Sequence, residues 1–254
     1  MEKNVILVTQ ARSGSTRLPR KVLKKIGGKP LLQIHLERIK SCLNVSEIIV
    51  ATTTNIEDDE IYDKVINWGF TAYRGSENDV LDRFYQSVKD KKPDFIVRLT
   101  SDCPLIDSDL IDKVIKYSIQ NDVDYCSNTL VENYPDGQDV AVFKFSALKF
   151  AWENAKLQSE REHVTPYIKK NSSFNGGKLF ISKNYPCQYD FSRIRMTVDE
   201  IRDFKLISEI INNLGTNKSW LEYTNYIINN NLNNDDIVRN EGYLNSLKND
   251  KKTI

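Results

Sequence analysis

Short apolar runs alternate with amphipathic segments through the first half of the chain. Residues 4–9 (NVILVT) form a nearly continuous apolar run, which is typical of a strand buried on both faces. The segments between such runs space their apolar residues three or four positions apart, as in Leu32, Leu36 and Ile39. Further strand-like runs stand at residues 46–53, 71–74 and 94–100. Strands that alternate with helices predict an α/β fold with a mostly parallel, Rossmann-like sheet sandwiched by helices.

The pattern becomes less regular after residue 122. We predict strands at residues 140–145, 178–182 and 193–198, and helices at 147–156 and 199–210. The spacing of Tyr223, Ile227 and Ile228 favours one more helix, and residues 248–254 are expected to fray. We therefore expect one domain made of a regular half at 1–122, an irregular α+β portion at 123–211 and a helical C-terminal tail at 212–254.

Composition narrows the classes of protein that fit. Lys and Arg number 36 against 35 Asp and Glu, so a net charge of +1 gives no general attraction to nucleic acid or to anionic lipid. Apolar runs stay far below the roughly 20 residues of a membrane span, and no apolar leader precedes the first strand. Four cysteines stand far apart without a CxxC pair, at positions 42, 103, 126 and 187. Reduced thiols and a cytoplasmic location are the expectation.

A basic loop, QARSGSTRLPRK at residues 10–21, follows the first strand directly. Its small residues let the backbone approach a ligand, and Arg12, Arg17, Arg20 and Lys21 add four cations. Ligands of open α/β sheets bind beyond the carboxyl ends of strands, where this loop must lie. The loop predicts a polyphosphate cradle, although it matches neither the P-loop nor the dinucleotide fingerprint. The alternative is a solvated basic loop.

Two aspartates are candidate ligands for Mg²⁺. Asp102 (in RLTSDCP) ends the fourth predicted strand, and Asp199 follows the strand predicted at 193–198. Mg²⁺ in proteins usually takes one or two carboxylates together with phosphate oxygens. The alternatives are an Asx turn before Pro104 for Asp102 and a helix N-cap for Asp199.

Three more polar segments are candidates. In residues 73–83 (YRGSENDVLDR), Arg74 and Gly75 would reach a base or ribose, unless the segment only forms a capped, charged helical turn. Residues 134–139 (YPDGQD) and 160–163 (EREH) bring polar groups to the irregular portion, where a surface turn and a solvated helix face are the alternatives. His35 is expected to be structural.

Six sequence blocks, in order, resemble the spore coat polysaccharide cytidylyltransferase-like family: TQARSGSTRLPRKVLKKIGGKPLL, ATT, YRGSENDVLDRF, RLTSDCPLID, EREHVTPYI and RMTVDEIRDF. That family is kin to the cytidylyltransferases that activate 3-deoxy-manno-octulosonate and acylneuraminate. The resemblance reaches Phe204. It implies a nucleotide-diphospho-sugar transferase fold, CTP as the donor, Mg²⁺ as the cofactor and, as in many relatives, a homodimer.

The resemblance also implies roles for individual residues. It assigns nucleotide binding to residues 1–122, and acceptor binding with one metal Asp to residues 123–211. Nucleotide-binding positions are Ala11, Arg12, Ser13, Gly14, Arg17, Lys21, Ala51, Thr52, Arg74, Gly75 and Thr100. Of these, Ala51, Thr52, Arg74 and Gly75 would line the cytidine pocket, and Arg12, Arg17 and Lys21 would act in catalysis with Asp102. Asp102 and Asp199 would hold the metal, and Asp136, Asp139, Glu162 and His163 would bind the acceptor. Two positions depart from the family pattern: Arg20, where Gly is frequent, and Ala141, where Glu is common.

The predicted activity is transfer of CMP from CTP to a sugar acid or a related sugar or polyol acceptor, with release of pyrophosphate, for surface polysaccharide or glycoconjugate synthesis. Three alternatives stay open at this point. A phosphorylated acceptor would give a CDP-linked product. A glycosyltransferase of related fold would bind its metal through a close Asp-x-Asp pair, a spacing found at Asp122 and Asp124. A catalytically silent nucleotide-binding module is the third.

Overall fold

The computed structural model describes residues 3–232 and 239–253, and in this part the chain forms nine strands and ten α-helices. The strands are β1 (Val5–Gln10), β2 (Lys25–Ile26), β3 (Lys29–Pro30), β4 (Glu47–Thr53), β5 (Thr71–Gly75), β6 (Phe95–Thr100), β7 (Tyr125–Ser127), β8 (Ala141–Lys144) and β9 (Ser182–Asn184). The helices are α1 (Leu31–Ile39), α2 (Asp59–Asn67), α3 (Val80–Val88), α4 (Ser108–Gln120), α5 (Phe145–Asn154), α6 (Gln158–His163), α7 (Pro166–Lys170), α8 (Ile201–Leu214), α9 (Trp220–Asn229) and α10 (Glu241–Thr253). Within the same ranges, no helix has the length and apolar character needed to cross a membrane.

One seven-stranded sheet organises the fold, in the order β5-β4-β1-β6-β8-β7-β9. Strands β5, β4, β1 and β6 are parallel, and β8 runs antiparallel to both of its neighbours. Strands β2 and β3 form a separate antiparallel pair. The mostly parallel sheet predicted from the alternating pattern is therefore confirmed.

Both faces of the sheet are buried, which explains the continuous apolar runs. Along β1, Val5 and Leu7 join the core under α1 and α4, whereas Ile6 and Val8 join the core under α3 and α5. Fully burying each such side chain contributes roughly 1.5–3 kcal/mol. A third core gathers α8, α9 and the β2–β3 pair. These cores hold the carboxyl edge of the parallel strands in place.

The second half differs from its prediction in two strands. The strand expected at 178–182 lies at β9, overlapping it only at Ser182. The strand expected at 193–198 is not a strand, and its one bridge joins Arg195 to Asp136. Its alternation has another cause: Ile194, Met196 and Val198 enter the third core while the residues between them face the site.

Two helix ends also differ from their predictions. Helix α8 begins at Ile201 and not at residue 199, because the backbone N–H groups of Asp199 and Glu200 donate to Asp203 at 2.8 and 2.9 Å. The C-terminal residues expected to fray continue α10 as far as Thr253. Asp250, on this helix, is buried and accepts a hydrogen bond from the backbone of Ser159 at 3.3 Å.

Candidate active site

The basic loop after β1 is held at the sheet edge by a buried carboxylate. Asp58 accepts a hydrogen bond from the backbone N–H of Ser13 at 2.6 Å and another from the hydroxyl of Thr53. The Ser13 hydroxyl donates to the carbonyl of Glu57 at 3.1 Å. Ser13 therefore anchors the loop and does not line the cavity beside it, and its predicted role in nucleotide binding stays a prediction. Asp58 was missed, although its position just after β4 is a signal for such a role.

A cavity of about 600 Å³ opens between this loop and α3, in the size range of ligand sites. Eight residues predicted to bind the nucleotide or the metal line it: Ala11, Arg12, Gly14, Arg17, Lys21, Thr100, Asp102 and Asp199. Arg83 lines it as well and is only 2% exposed. Burial lowers the pKa of Arg83 to about 10, and the nearby Arg12 adds to this effect. The cavity thus carries four cations on its wall, which suits a polyanionic ligand.

The four residues predicted for the cytidine pocket lie outside this cavity. Ala51 and Thr52 are fully buried in β4. Arg74 turns away, donating to the carbonyl of Thr53 at 2.9 Å. Gly75 packs against the Arg83 side chain, 3.0 Å from the place where a Cβ atom would stand. In place of these four, the structure puts Arg83 on the cavity wall, a residue assigned from sequence only to a charged helical turn.

Asp102 and Asp199, which are 97 positions apart, face each other across one ammonium group. The Nζ atom of Lys21 lies 2.6 Å from Asp102 Oδ2 and 2.8 Å from Asp199 Oδ1. The backbone N–H of Val198 donates to the carbonyl of Asp102 at 2.8 Å, which ties the two segments together. Burial alone would raise the pKa of Asp102, but Lys21 lowers it to about 2. Burial likewise would lower the pKa of Lys21, yet the two carboxylates raise it. Asp102 is therefore ionised at neutral pH.

By themselves, Asp102 and Asp199 supply only two protein ligands to a metal ion. No group of three or more His, Cys, Asp or Glu ligands occurs within residues 3–232 and 239–253. Two carboxylates plus phosphate oxygens are, however, a donor set that Mg²⁺ accepts. The observation that both carboxylates already share one cation shows that they converge on a common point. The residues thus fit Mg²⁺, provided that the ammonium of Lys21 moves to a phosphate.

A second cavity, of about 310 Å³, lies on the other side of this pair. Of the four residues predicted to bind the acceptor, Asp136, Asp139 and His163 line this cavity, and Glu162 lines the first cavity. Glu162 accepts a hydrogen bond from Ser246 at 2.9 Å. Several residues border both cavities: Gln10, Arg17, Thr100, Asp102, His163, Asp199, Glu241 and Gly242. The two cavities therefore meet at the aspartate pair.

Arginines pair with the aspartates of the second cavity. Arg195 donates to Asp136 and, at 2.8 Å, to Asp199. Arg239 donates to Asp139 at 2.5 Å. Burial, together with the negative charge of Asp139, raises the pKa of Asp136 to about 7. Asp136 and Asp139 thus already have cationic partners from the protein.

His163 stands where the two cavities meet, and it is uncharged at neutral pH. Burial, with the charge of Arg98 second, lowers the pKa of His163 to about 4. Its Nε2 atom lies 3.2 Å from the Ser246 hydroxyl, and its ring meets Tyr243 edge-on at 5.2 Å. His163 therefore joins the site to the C-terminal helix.

Helix α10 forms part of both cavity walls, which the sequence did not indicate. Glu241 and Gly242 border both cavities, Tyr243 the second and Asn245 the first. Arg17 binds Glu241 at 2.9 Å and Asp199 at 3.3 Å. The predicted triphosphate ligand Arg17 therefore connects the basic loop to the end of the chain.

A model of the cytidylyltransferase family matches residues 6–238. The chain belongs to the cytidylyltransferase family. It is 45% identical over 207 residues to an uncharacterised protein of Methanocaldococcus jannaschii, across 81% of this chain and 82% of that protein. It is 31% identical over 217 residues to the spore coat polysaccharide biosynthesis protein SpsF of Bacillus subtilis, across 84% of this chain and 88% of that protein. A solved cytidylyltransferase structure from Leptospira borgpetersenii superposes with a TM-score of 0.84 at 29% identity, covering 94% of this chain and 99% of the other.

These comparisons confirm the family resemblance, the α/β nucleotidyltransferase fold and a CTP-dependent nucleotidyltransferase activity. In this cytidylyltransferase, the Asp-x-Asp pair considered for a glycosyltransferase lies outside both cavities. Asp122 and Asp124 bind Lys144 at 3.0 and 3.2 Å. Their carboxylates therefore serve a surface ion pair.

Proposed function

We propose that this cytidylyltransferase transfers CMP from CTP to a hydroxyl or phosphate oxygen of a small acceptor, a sugar acid or a sugar or polyol phosphate. The observation that carries the proposal is the meeting of two cavities at the Asp102–Asp199 pair, with Arg12 and Lys21 of the basic loop lining only the larger one. In this arrangement CTP occupies the larger cavity, beside Arg12, Lys21 and Arg83, and the acceptor occupies the smaller one. The α-phosphorus of CTP then lies between them.

The triphosphate would be bound by three side chains of the basic loop. Arg12 and Arg17 are half-exposed, and their ion pairs with Glu77 and Glu241 are of the exchangeable surface type. Lys21 would exchange its two carboxylate partners for phosphate oxygens. Gly14 lines the cavity without a side chain, so a phosphate can approach its backbone closely, and a Cβ atom there would be tightly placed, 3.3 Å from the Glu77 carboxylate. Binding of CTP thus replaces internal ion pairs with phosphate contacts.

Asp102 and Asp199 would hold Mg²⁺ once Lys21 has moved. When bound, Mg²⁺ would polarise the α-phosphate and make the acceptor oxygen a better nucleophile. Arg195 keeps Asp199 oriented through its 2.8 Å hydrogen bond, and the backbone contact from Val198 keeps Asp102 in register. The pair is therefore positioned before the ligands arrive.

The reaction needs positioning and charge stabilisation rather than covalent chemistry from the protein. The acceptor oxygen forms a bond to the α-phosphorus, and the bond from that phosphorus to the bridging oxygen of the β-phosphate breaks. Pyrophosphate leaves with the bonding electrons. Arg12, Arg17 and Lys21 would stabilise the charge that develops on it.

A substrate screen tests the proposal. The four nucleoside triphosphates are each combined with Mg²⁺ and with sugar acids, sugar phosphates and polyol phosphates, and pyrophosphate and nucleotide products are quantified. We expect pyrophosphate release with CTP and an acceptor together, with CMP found in the product. Release of a nucleoside diphosphate, or pyrophosphate release that prefers another nucleotide, would contradict the proposal.

The wider biological setting belongs to the same proposal. Similarity to the spore coat polysaccharide biosynthesis protein SpsF supports a role in surface polysaccharide or glycoconjugate synthesis. A cytoplasmic location agrees with the four free cysteines within the described residues and stays a prediction. The homodimer also stays a prediction, which sedimentation analysis tests.

A further inference from the structure

The acceptor cavity contains an arginine that the protein leaves without a charged partner. Arg98 lies on β6 and lines this cavity. Its Nε atom is buried and has no hydrogen-bond acceptor within reach. Its Nη2 atom makes one long hydrogen bond, 3.4 Å to the Gln10 side chain. Among residues 3–232 and 239–253, no carboxylate oxygen lies within 4 Å of this guanidinium.

The other arginines at the acceptor cavity are paired with carboxylates. Arg195 binds three carboxylates, Arg239 binds Asp139, and Arg17 binds Glu241. A buried charge is costly unless it is paired and hydrogen-bonded. Burial lowers the pKa of Arg98, and the more distant negative groups offset this only in part. The folded chain therefore supplies no negative partner for this guanidinium, and an anionic ligand would supply one.

The sheet register explains why space remains beside Arg98. Its direct neighbour on β8 is Ala141, and the neighbour of Ala141 on β7 is Ser127. Directly opposed residues on adjacent strands lie on the same face. The methyl group of Ala141 and the hydroxyl of Ser127 both line the cavity. A small and a polar side chain thus stand where a longer acidic one would close the ion pair.

A second cation on the same cavity has no ion pair either. Lys169, on α7, lines the acceptor cavity, and its ammonium has no carboxylate within 4 Å in the described part of the chain. Asp136 and Asp139 of this cavity, in contrast, are bound to Arg195 and Arg239. Its two glutamates also have partners, since Glu241 pairs with Arg17 and Glu132 accepts a hydrogen bond from Asn240 at 2.9 Å. Within the described residues, Arg98 and Lys169 are therefore the cations of this cavity wall that have no carboxylate partner.

We propose that Arg98 binds an anionic oxygen group of the acceptor, a carboxylate or a phosphate, with Lys169 as a second contact. This inference rests on the proposed function, because it assigns the smaller cavity to the acceptor. A guanidinium binds either group through two parallel hydrogen bonds, which fixes orientation as well as charge. The reacting oxygen of the acceptor then faces the aspartate pair, which lines the same cavity.

Three variants separate binding from folding. Arg98→Met removes the charge and keeps a side chain of similar length. Arg98→Lys keeps the charge but loses the planar guanidinium that makes two parallel hydrogen bonds. Ala141→Glu places a carboxylate directly opposite Arg98 on the neighbouring strand. The last variant should pair with Arg98 internally and occupy its subsite. Since an unpaired buried charge is unfavourable, Arg98→Met and Ala141→Glu should keep or raise the Tm of the ligand-free protein. A marked drop in Tm with Arg98→Met would reveal a structural arginine and contradict the proposal.

The first readout is binding, which does not depend on turnover. The probes are 3-deoxy-manno-octulosonate, glucose 1-phosphate and neutral methyl glucoside, each tested by thermal shift on the wild type and the variants. We expect at least one anionic probe to raise the Tm of the wild type, while Arg98→Met and Ala141→Glu abolish that shift. Which probe acts distinguishes a carboxylate from a phosphate. Absence of any shift with the wild type, or a shift that persists in Arg98→Met, would overturn the proposal.

The second readout is pyrophosphate release with CTP and the probe that binds. A lost charged hydrogen bond corresponds to a KM for the acceptor raised roughly 10- to 150-fold in Arg98→Met. The KM for CTP should change less than twofold, because Arg98 does not line the nucleotide cavity. Equal use of methyl glucoside and the anionic probes would overturn the subsite. Anion binding through Arg98 without pyrophosphate release would instead contradict the proposed function and leave the subsite standing.

Discussion

Replacing Asp102 by Asn tests the aspartate pair most sharply. The change keeps the size of the side chain and one oxygen atom but removes the charge that faces Lys21 at 2.6 Å. With Mg²⁺ and the α-phosphate held at this point, the lost charge stabilisation should resemble the loss of an oxyanion contact, about 3–4 kcal/mol. We therefore expect kcat to fall by roughly 100- to 1,000-fold.

The effect of this variant on stability should be much smaller. The pKa of Asp102 is lowered from its usual 3.8 to about 2. At about 1.4 kcal/mol per pKa unit, the charged form contributes on the order of 2 kcal/mol. This contribution is present above the unfolded pKa and is lost as the pH falls through about 2. In a chain of this size, Tm should fall by no more than about 8 °C.

A matched control keeps folding and catalysis apart. Asp112 is 6% exposed and accepts hydrogen bonds from the backbones of Leu43 and Asn44 at 2.8 and 2.9 Å, away from both cavities. Asp112→Asn should lower Tm and leave kcat unchanged. Pyrophosphate release at saturating CTP and acceptor gives kcat, and thermal unfolding gives Tm. An Asp102→Asn enzyme whose kcat stays within threefold of the wild type would refute the reasoning.

Further predictions concern charge, pH and backbone. Lys21→Met leaves two carboxylates facing each other without their shared cation, so the Tm of the ligand-free protein should fall. Mg²⁺ should raise the Tm of this variant more than that of the wild type, and an equal increase in both would contradict the prediction. Burial lowers the pKa of His35 to about 4, so the unfolded chain binds a proton at a higher pH than the folded one does. The free energy of unfolding should therefore fall by about 3 kcal/mol from pH 6.5 to pH 4. His35→Gln should reduce this pH dependence, as measured by urea unfolding at a series of pH values. At Gly137, φ is +102° and a Cβ atom would lie 2.6 Å from the backbone of residue 196. Gly137→Ala should therefore lower the Tm and raise the KM for the acceptor. An unchanged Tm would contradict this prediction.

The first half of the fold was predictable because its signals are local. Each buried strand reads as an apolar run, and each helix shows its apolar face at a spacing of three or four. The segment at 193–198 was misread because its alternation has the period of a strand. In the structure, that alternation separates a core face, with Met196, from a site face, with Arg195. Periodicity reports which side chains are buried and does not report whether a neighbouring strand is present.

The candidate site was predictable where residues end strands at one sheet edge. Asp102 follows β6, and the loop with Lys21 follows β1, so topology brings them together. Asp199 reaches the same place from a segment that is not a strand. The contribution of Glu241 was not predictable, because its contact with Arg17 joins positions 224 apart and no local pattern marks it. The anchoring of the basic loop by Asp58 was not predictable either, because it also depends on tertiary contacts.

A crystal structure with CTP and Mg²⁺ would show directly whether the aspartate pair and the basic loop form the catalytic centre. We expect the triphosphate on the loop between Arg12 and Lys21, and the metal between Asp102 and Asp199. The Nζ atom of Lys21 should have moved from its present 2.6 and 2.8 Å carboxylate contacts to a phosphate oxygen. A nucleotide bound outside the larger cavity, or a metal bound elsewhere while Lys21 still bridges the two carboxylates, would contradict this expectation.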